Sequence, residues 1–151
     1  MRATEFLNKL LSRDEVVRLF NNPQVTADLD DAIEWFPGKE VSFIVKENVP
    51  MSIFNNQALE MLSTYDEFPQ EAKRTAKIKQ LILKGGKQLP IFVDTIDIGH
   101  NFIVEGRHRI VAFYELGLTS VTVIEIVKSE PQVNEIAYAI NAHRNVGRDL
   151  E

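Results

Sequence analysis

The sequence predicts an α+β domain, a small mixed sheet with packed helices, preceded by an acidic helical segment. Three observations carry that expectation. The second half runs helix, strand, turn, strand, helix, strand, helix, the pattern of a sheet with helices laid against it. Residues 1–40 read as helical and are acidic. The chain has 151 residues, 44% hydrophobic and 26% charged, which suits one core in one ordinary globular domain. The expected division is a helical N-terminal segment at 1–40 and the sheet domain at 41–151. No repeat, low-complexity stretch or Pro-, Gly- or Ser-rich linker interrupts it.

The elements follow in order. Thr4 is a candidate cap for a helix carrying Leu7, Leu10, Leu11, Val17 and Phe20 at helical spacing. Asn21-Asn22-Pro23 stops it. A second helix is expected from Thr26 to Trp35, with Asp28, Asp30 and Asp31 early in it, where acid suits the helix dipole. Pro37-Gly38 signals a turn, and Val41 to Val45 a strand. Asn48 to Phe54 reads as looser extended chain, and Asn56 to Tyr65 as a short helix. Pro69 opens a helix over Gln70 to Lys84, with Ala72, Ala76, Leu81 and Ile82 as inward positions and Gly85-Gly86 as its stop. Leu89 to Val93 is a buried-type strand, Asp94 to Asn101 a turn containing Gly99, and Phe102 to Val104 another strand. A helix then runs to Leu116, closed by Gly117. Val121 to Val127 alternates as a strand, and Pro131 begins a last helix to about Arg144.

Composition removes whole classes of function. With no cysteine there is no disulfide, cysteine–zinc site, iron–sulfur cluster or thiol nucleophile. No run of eighteen apolar residues is present, and the first twenty residues lack the apolar core of a signal peptide. A cytoplasmic protein without a membrane partner is therefore expected. The net charge of −5 weighs against general adhesion to DNA or anionic lipid. That charge is unevenly spread. Residues 1–68 carry 6 Lys and Arg against 12 Asp and Glu, whereas residues 69–151 carry 11 against 10. The second half is the better receiver of an anion.

The segment richest in chemistry is Val104-Glu105-Gly106-Arg107-His108-Arg109-Ile110. It lies where a strand ends and a helix begins, so unpaired backbone N–H groups and the positive end of the helix dipole meet there. Gly106 lets a ligand approach the backbone closely. Arg107, His108 and Arg109 add charge and hydrogen bonds, which makes the turn a candidate phosphate site. Glu105 is the candidate catalytic carboxylate, able to position a metal-bound water or take a proton. Its other reading is an ion pair with Arg107 or Arg109. Asp94 and Asp97 are better read as turn formers than as Mg²⁺ ligands. The spacing of His100, His108 and His143 offers no helical ligand pair, so no structural zinc is expected. Asn141 and Arg144, three apart on one helix, share a face and are candidates to close the site. Phe113 and Tyr138 read as core, and Lys79, Lys84 and Lys87 as a solvated basic face.

From Lys77 to Val93 the chain reads KIKQLILKGGKQLPIFV. This resembles the opening of a ParB N-terminal domain, in which a glycine-ended helix precedes a Q-P-I-x-V strand. Phe102 to Leu118, FIVEGRHRIVAFYELGL, is similar to the family's G-x-R-R-x-x-A box and the helix after it. Gly106, His108, Arg109 and Ala112 match or nearly match that box. Ile140-Asn141-Ala142-His143-Arg144 resembles the E-N-x-x-R box, with Asn141 and Arg144 in register. The likeness covers about residues 41–146 with the elements in the same order. The G-R-H-R turn is also similar to the G-C-H-R turn of sulfiredoxins and to the D-G-Q-H-R turn of certain DNA-modification-associated proteins.

The resemblance implies a ParB/sulfiredoxin fold whose glycine turn cradles nucleotide phosphates. Members include CTP-binding switches, ATP-dependent enzymes, small-molecule kinases and nuclease-like proteins, so the fold alone does not set the activity. It implies ATP or CTP as ligand, or another phosphorylated small molecule. Mg²⁺ is the expected helper and hydrolysis of nucleotide or phosphodiester bonds the natural chemistry. Three departures qualify it. Arg107 stands where sulfiredoxins carry their cysteine, which removes that redox chemistry. Ile140 replaces the acid of the E-N-x-x-R box, which puts CTP switching in doubt. The sequence ends soon after Arg144, so a stand-alone domain without the ParB helix-turn-helix is expected. The rival expectation is a non-enzymatic regulator, of the kind used as phage or mobile-element accessory factors. It would bind a protein partner or DNA, with the acidic N-terminal helices as its interface.

Overall fold

A computed structural model describes residues 9–97 and 100–129, with the backbone alone at 95–97 and 100–102. Thr4, Gly99 and the helix expected from Pro131 to Arg144 lie outside the described residues.

Helix α1 (Arg13–Phe20) starts at a capping box. The Ser12 hydroxyl accepts from the Glu15 N–H at 3.2 Å, and the Glu15 carboxylate accepts from the Ser12 N–H at 3.0 Å. Two of the helix's unpaired donors are thereby satisfied. Leu11, expected inside the helix, precedes it. Its N–H donates to the carbonyl of Phe43 at 2.7 Å and its carbonyl accepts from the Phe43 N–H at 2.9 Å. Asn21, left-handed at φ 46, closes α1, and Asn22 caps α2 (Pro23–Glu34) through the N–H groups of Gln24 and Val25. Because α2 begins at Pro23 and not Thr26, Asp28, Asp30 and Asp31 fall in its middle, away from its positive end. Asp30 there accepts two hydrogen bonds from the Arg13 guanidinium.

Strand β1 (Glu40–Pro50) is longer than expected. A 3-10 turn, Met51–Phe54, leads into α3 (Asn55–Leu62), replacing the expected extended stretch. After α4 (Pro69–Leu83) come β2 (Ile91–Asp97), β3 (His100–Glu105), α5 (Arg107–Glu115) and β4 (Ser120–Ser129). The fold is α+β, with the mixed sheet ordered β1-β4-β2-β3. Strand β4 runs antiparallel to β1 and parallel to β2, and β2 runs antiparallel to β3. The β2–β3 strands extend through most of the stretch expected as a turn, with Asp97 opposite His100.

Helices cover both sheet faces. Leu11 with Val16, Val25, Leu29 and Ala32 from α1 and α2 packs on Phe43, Phe92, Val104, Ile124 and Ile126. Met51, Phe54, Ala58, Ile110 and Phe113 pack on Ile91, Val93, Val121 and Val123 from the other side. Alternate residues of each strand supply the two layers. One exception has a local cause. The register of β1 against β4 shifts between Lys46 and Val49, and Asn48 sits at φ 57. This bulge puts Val49 in the α5-side core, whereas Phe43 and Val45 belong to the α1–α2 side.

Helix α4 packs on α5, but its phase differs from the expected one. Thr75 is its buried residue, with Ala72 and Ile82 partly covered, while Ala76 is exposed and Leu81 is 63% exposed. Among the described residues no helix is long and apolar enough to cross a membrane.

Candidate functional site

Strand β3 delivers the chain to Glu105, and Gly106 reverses it into α5. Gly106 has φ 104 and ψ 22, and its carbonyl accepts the first helical bond, from the Ile110 N–H at 3.0 Å. An added Cβ would lie 3.5 Å from Ile91, an ordinary contact. Glycine is needed here for the backbone angle, not for room. Among the described residues no side chain caps this end, so none of them takes up the first-turn N–H groups of α5.

The three cationic side chains of the turn go to different places. Arg109 turns inward. Its Nη1 donates to the Pro90 carbonyl at 2.9 Å and its Nη2 to Oδ2 of Asp28 at 2.5 Å. The other Asp28 oxygen accepts from the Gln24 amide at 2.9 Å. The side chains of Arg109 and Asp28 are only 12% and 8% exposed. This buried network ties α2, the entry to β2 and α5 together. His108 is also held by protein. Its Nε2 is hydrogen-bonded to the Glu71 carboxylate of α4, and that pairing draws the Glu71 carboxyl below its ordinary value. Arg107 is exposed and makes no hydrogen bond or ion pair among the described residues.

Glu105 has neither of the pairings expected with Arg107 and Arg109 among the described residues. Partial burial pushes its carboxyl upward, and the negative charges of Asp28 and Asp31 push it further. The arginines offset this only in part. Asp94 pairs with Lys128, whose ammonium also lies 4.9 Å from the Phe36 ring centroid. Among the described residues no group of three or more acidic or histidine side chains is placed to hold a metal ion. Asn141 and Arg144 lie outside the described residues.

Arg107 opens onto a cleft of about 650 Å³. Trp35, the C-cap of α2, forms one wall and is 56% exposed. Met61, Ile103, Val104 and Ile110 give the cleft apolar surface, and Gln57, Glu60, Ser63 and Thr64 line it from α3 and the turn after it. Comparison with protein-family models, with curated proteins and with solved structures gives no match.

The glycine turn and Arg107 are legible in the sequence, and the rest of the wall is not. Trp35 is legible only as the end of a helix beside a Pro-Gly turn. Asp28 and Glu71, the partners of Arg109 and His108, stand 81 and 37 residues away in the chain, and no local pattern joins them.

Proposed function

We propose that this chain is a nucleotide- or phosphate-binding domain of ParB/sulfiredoxin-like type. The observation that carries the reading is the cleft at the uncapped, glycine-preceded start of α5, with exposed Arg107 on its wall. The Arg107 guanidinium lines that cleft, and the helix that begins at Arg107 brings its first-turn N–H groups and positive dipole end beside it, each of which favours a phosphate. His108 and Arg109 hold the turn in place through Glu71 and Asp28, and Arg107 meets the ligand. Mg²⁺ enters with the phosphates of the ligand, which supply the oxygen ligands it prefers.

Calorimetric titration with ATP, CTP, ADP and inorganic phosphate, with and without Mg²⁺, tests this. Saturable binding that Arg107→Ala weakens about tenfold or more is the expected result. Binding of none of them removes the reading and leaves a regulator that uses the same surfaces for a macromolecular partner. Turnover of a bound nucleotide that Glu105→Gln abolishes makes the domain an enzyme with Glu105 in its chemistry.

A further inference from the structure

Two helices on opposite sides of the sheet carry opposite charge, and each exposes large apolar side chains. The first is α4. Residues 72–93 hold six Lys and Arg and no Asp or Glu. Arg74 faces Glu71 and Lys79 pairs with Glu115. Lys73, Lys77, Lys84 and Lys87 are exposed and make no ion pair among the described residues. Lys73, Lys77 and Lys84 stand at i, i+4 and i+11, one stripe about 16 Å long on a helix. Leu81 and Leu83, 63% and 72% exposed, flank its C-terminal part. The second helix is α2. Residues 19–38 hold four Asp and Glu and no Lys or Arg. Asp28 is taken by Arg109 and Asp30 by Arg13. Asp31 and Glu34 are exposed, make no ion pair among the described residues, and line a shallow concavity with Trp35.

The helix dipoles account for neither set. Asp31 and Glu34 stand in the last turn of α2, where the negative end of the dipole disfavours a carboxylate and no basic residue offsets it. Lys73 and Lys77 stand too far from the end of α4 for its dipole to reward them. Nor do the two sets neutralise each other within one chain. Helix α2 covers the sheet face of Phe43 and Phe92, whereas α4 packs on α5 and reaches the opposite core through Ile82.

We infer that α4 of one molecule docks on the α2 face of a second copy of this chain, with Lys73, Lys77 and Lys84 against Asp31 and Glu34 and the flanking leucines against Trp35. The net charge of −5 repels at long range, but screening over about 8 Å at physiological ionic strength leaves the decision to the facing patches. A lipid surface fits α4 less well. Its lysines run down the middle of the exposed side with the leucines to either side, the reverse of a helix that sinks an apolar stripe into a bilayer. Because the two patches differ and lie on opposite sides of the sheet, the contact is head-to-tail and repeats from copy to copy. It uses neither Arg107 nor the glycine turn, so it holds or fails independently of phosphate binding.

Sedimentation velocity of the full chain over rising concentration, at low ionic strength and in about 0.5 M salt, tests this. At low salt the average mass is expected to climb past that of a dimer, with a change in the emission of Trp35, the only tryptophan. In high salt the chain is expected to be monomeric. The triple variant Lys73→Glu, Lys77→Glu, Lys84→Glu and the double variant Asp31→Lys, Glu34→Lys, each shown to be folded by its melting curve, are expected to stay monomeric alone. Their equimolar mixture is expected to associate, because each then meets an opposite charge. Leu81→Ser with Leu83→Ser is expected to weaken association at least about tenfold and leave its salt dependence unchanged. Growth that stops at a dimer overturns the head-to-tail arrangement. Association that survives either charge reversal, or a mixture that stays monomeric, overturns the pairing of these two patches. A chain that is monomeric at every concentration and salt overturns the contact. If that monomer sediments with phosphatidylserine-containing vesicles and the triple variant does not, the α4 lysines serve a lipid surface instead.

Discussion

The Arg109 guanidinium donates to the Asp28 carboxylate across 81 residues of chain, joining the helix that follows the glycine turn to a helix of the acidic N-terminal stretch. Both side chains are nearly buried, and the second Asp28 oxygen is satisfied by Gln24. Removing one partner leaves the other charged in a poorly solvated place. Arg109→Ala is expected to cost about 3 kcal/mol of stability, the usual scale for breaking a buried pair. The Asp28→Asn, Arg109→Ala double variant is expected to cost less than the sum of the two singles. Urea unfolding of the four proteins measures this. Additive losses show that the pair does not act as a unit.

Gly106 holds a backbone angle that side chains adopt only under strain. Since a Cβ there meets Ile91 at ordinary contact distance, the cost of Gly106→Ala is conformational, about 1–2 kcal/mol. Relaxation toward negative φ also reorients the first turn of α5, which carries Arg107. Stability and phosphate affinity should therefore fall together. Thermal unfolding and calorimetry on the same variant check both, and a variant as stable as wild type contradicts the backbone argument.

These two residues also show what the sequence makes legible. The glycine at a strand-to-helix junction announces itself locally, because the backbone angle and the free N–H groups belong to neighbouring residues. The succession of elements in the second half is legible for a similar reason, since alternation and turn residues are short-range signals; the sheet order is not. Arg109 is different. Its charge reads as a ligand for phosphate until the fold supplies Asp28, and only tertiary packing brings that carboxylate to it. Helix α4 misleads in another way. Leu81 has the composition of a core residue, but α4 turns Thr75 inward, hydrogen-bonded to the Tyr65 hydroxyl. Its other side keeps Leu81 at the surface, 63% exposed. The Ser12-x-x-Glu15 box is spelled out in the sequence, but the apolar spacing of Leu7, Leu10 and Leu11 points to an earlier start, and only Leu11's pairing with Phe43 shows where the helix begins.

The phase of α4 is open to a direct check. Leu81→Ala at an exposed position is expected to change stability by less than about 0.5 kcal/mol. Ile82→Ala, one residue on and packed against the α5-side core, is expected to cost at least about 1 kcal/mol. The reverse order in denaturant unfolding contradicts the observed packing.

His108 lowers the carboxyl of Glu71 from its ordinary value of 4.5. The sign follows from linkage. A carboxyl depressed on folding stabilises the fold in full above its unfolded value, and that contribution disappears as pH falls through the lower folded value. Wild type and Glu71→Gln should therefore differ most at neutral pH and converge as the solution is acidified below 4.5. Melting temperatures recorded from pH 7 to pH 3 give the comparison, and parallel curves throughout contradict the pairing.

Glu105 carries the opposite sign. Burial raises its carboxyl above 4.5, with Asp28 and Asp31 adding to the effect. Between the unfolded and folded values the native state holds the extra proton, so stability falls as pH rises through that window and the loss persists above it. An ion-paired glutamate would behave the other way, and its replacement would destabilise the fold at neutral pH. Glu105→Gln is therefore expected to raise the melting temperature at pH 7, with the gain shrinking as pH is lowered toward 4.5. A neutral-pH loss on the same substitution would restore the ion-pair reading with Arg107 or Arg109. A gain shows a carboxylate held beside the glycine turn at some cost to stability, as its burial and the nearby Asp28 and Asp31 require.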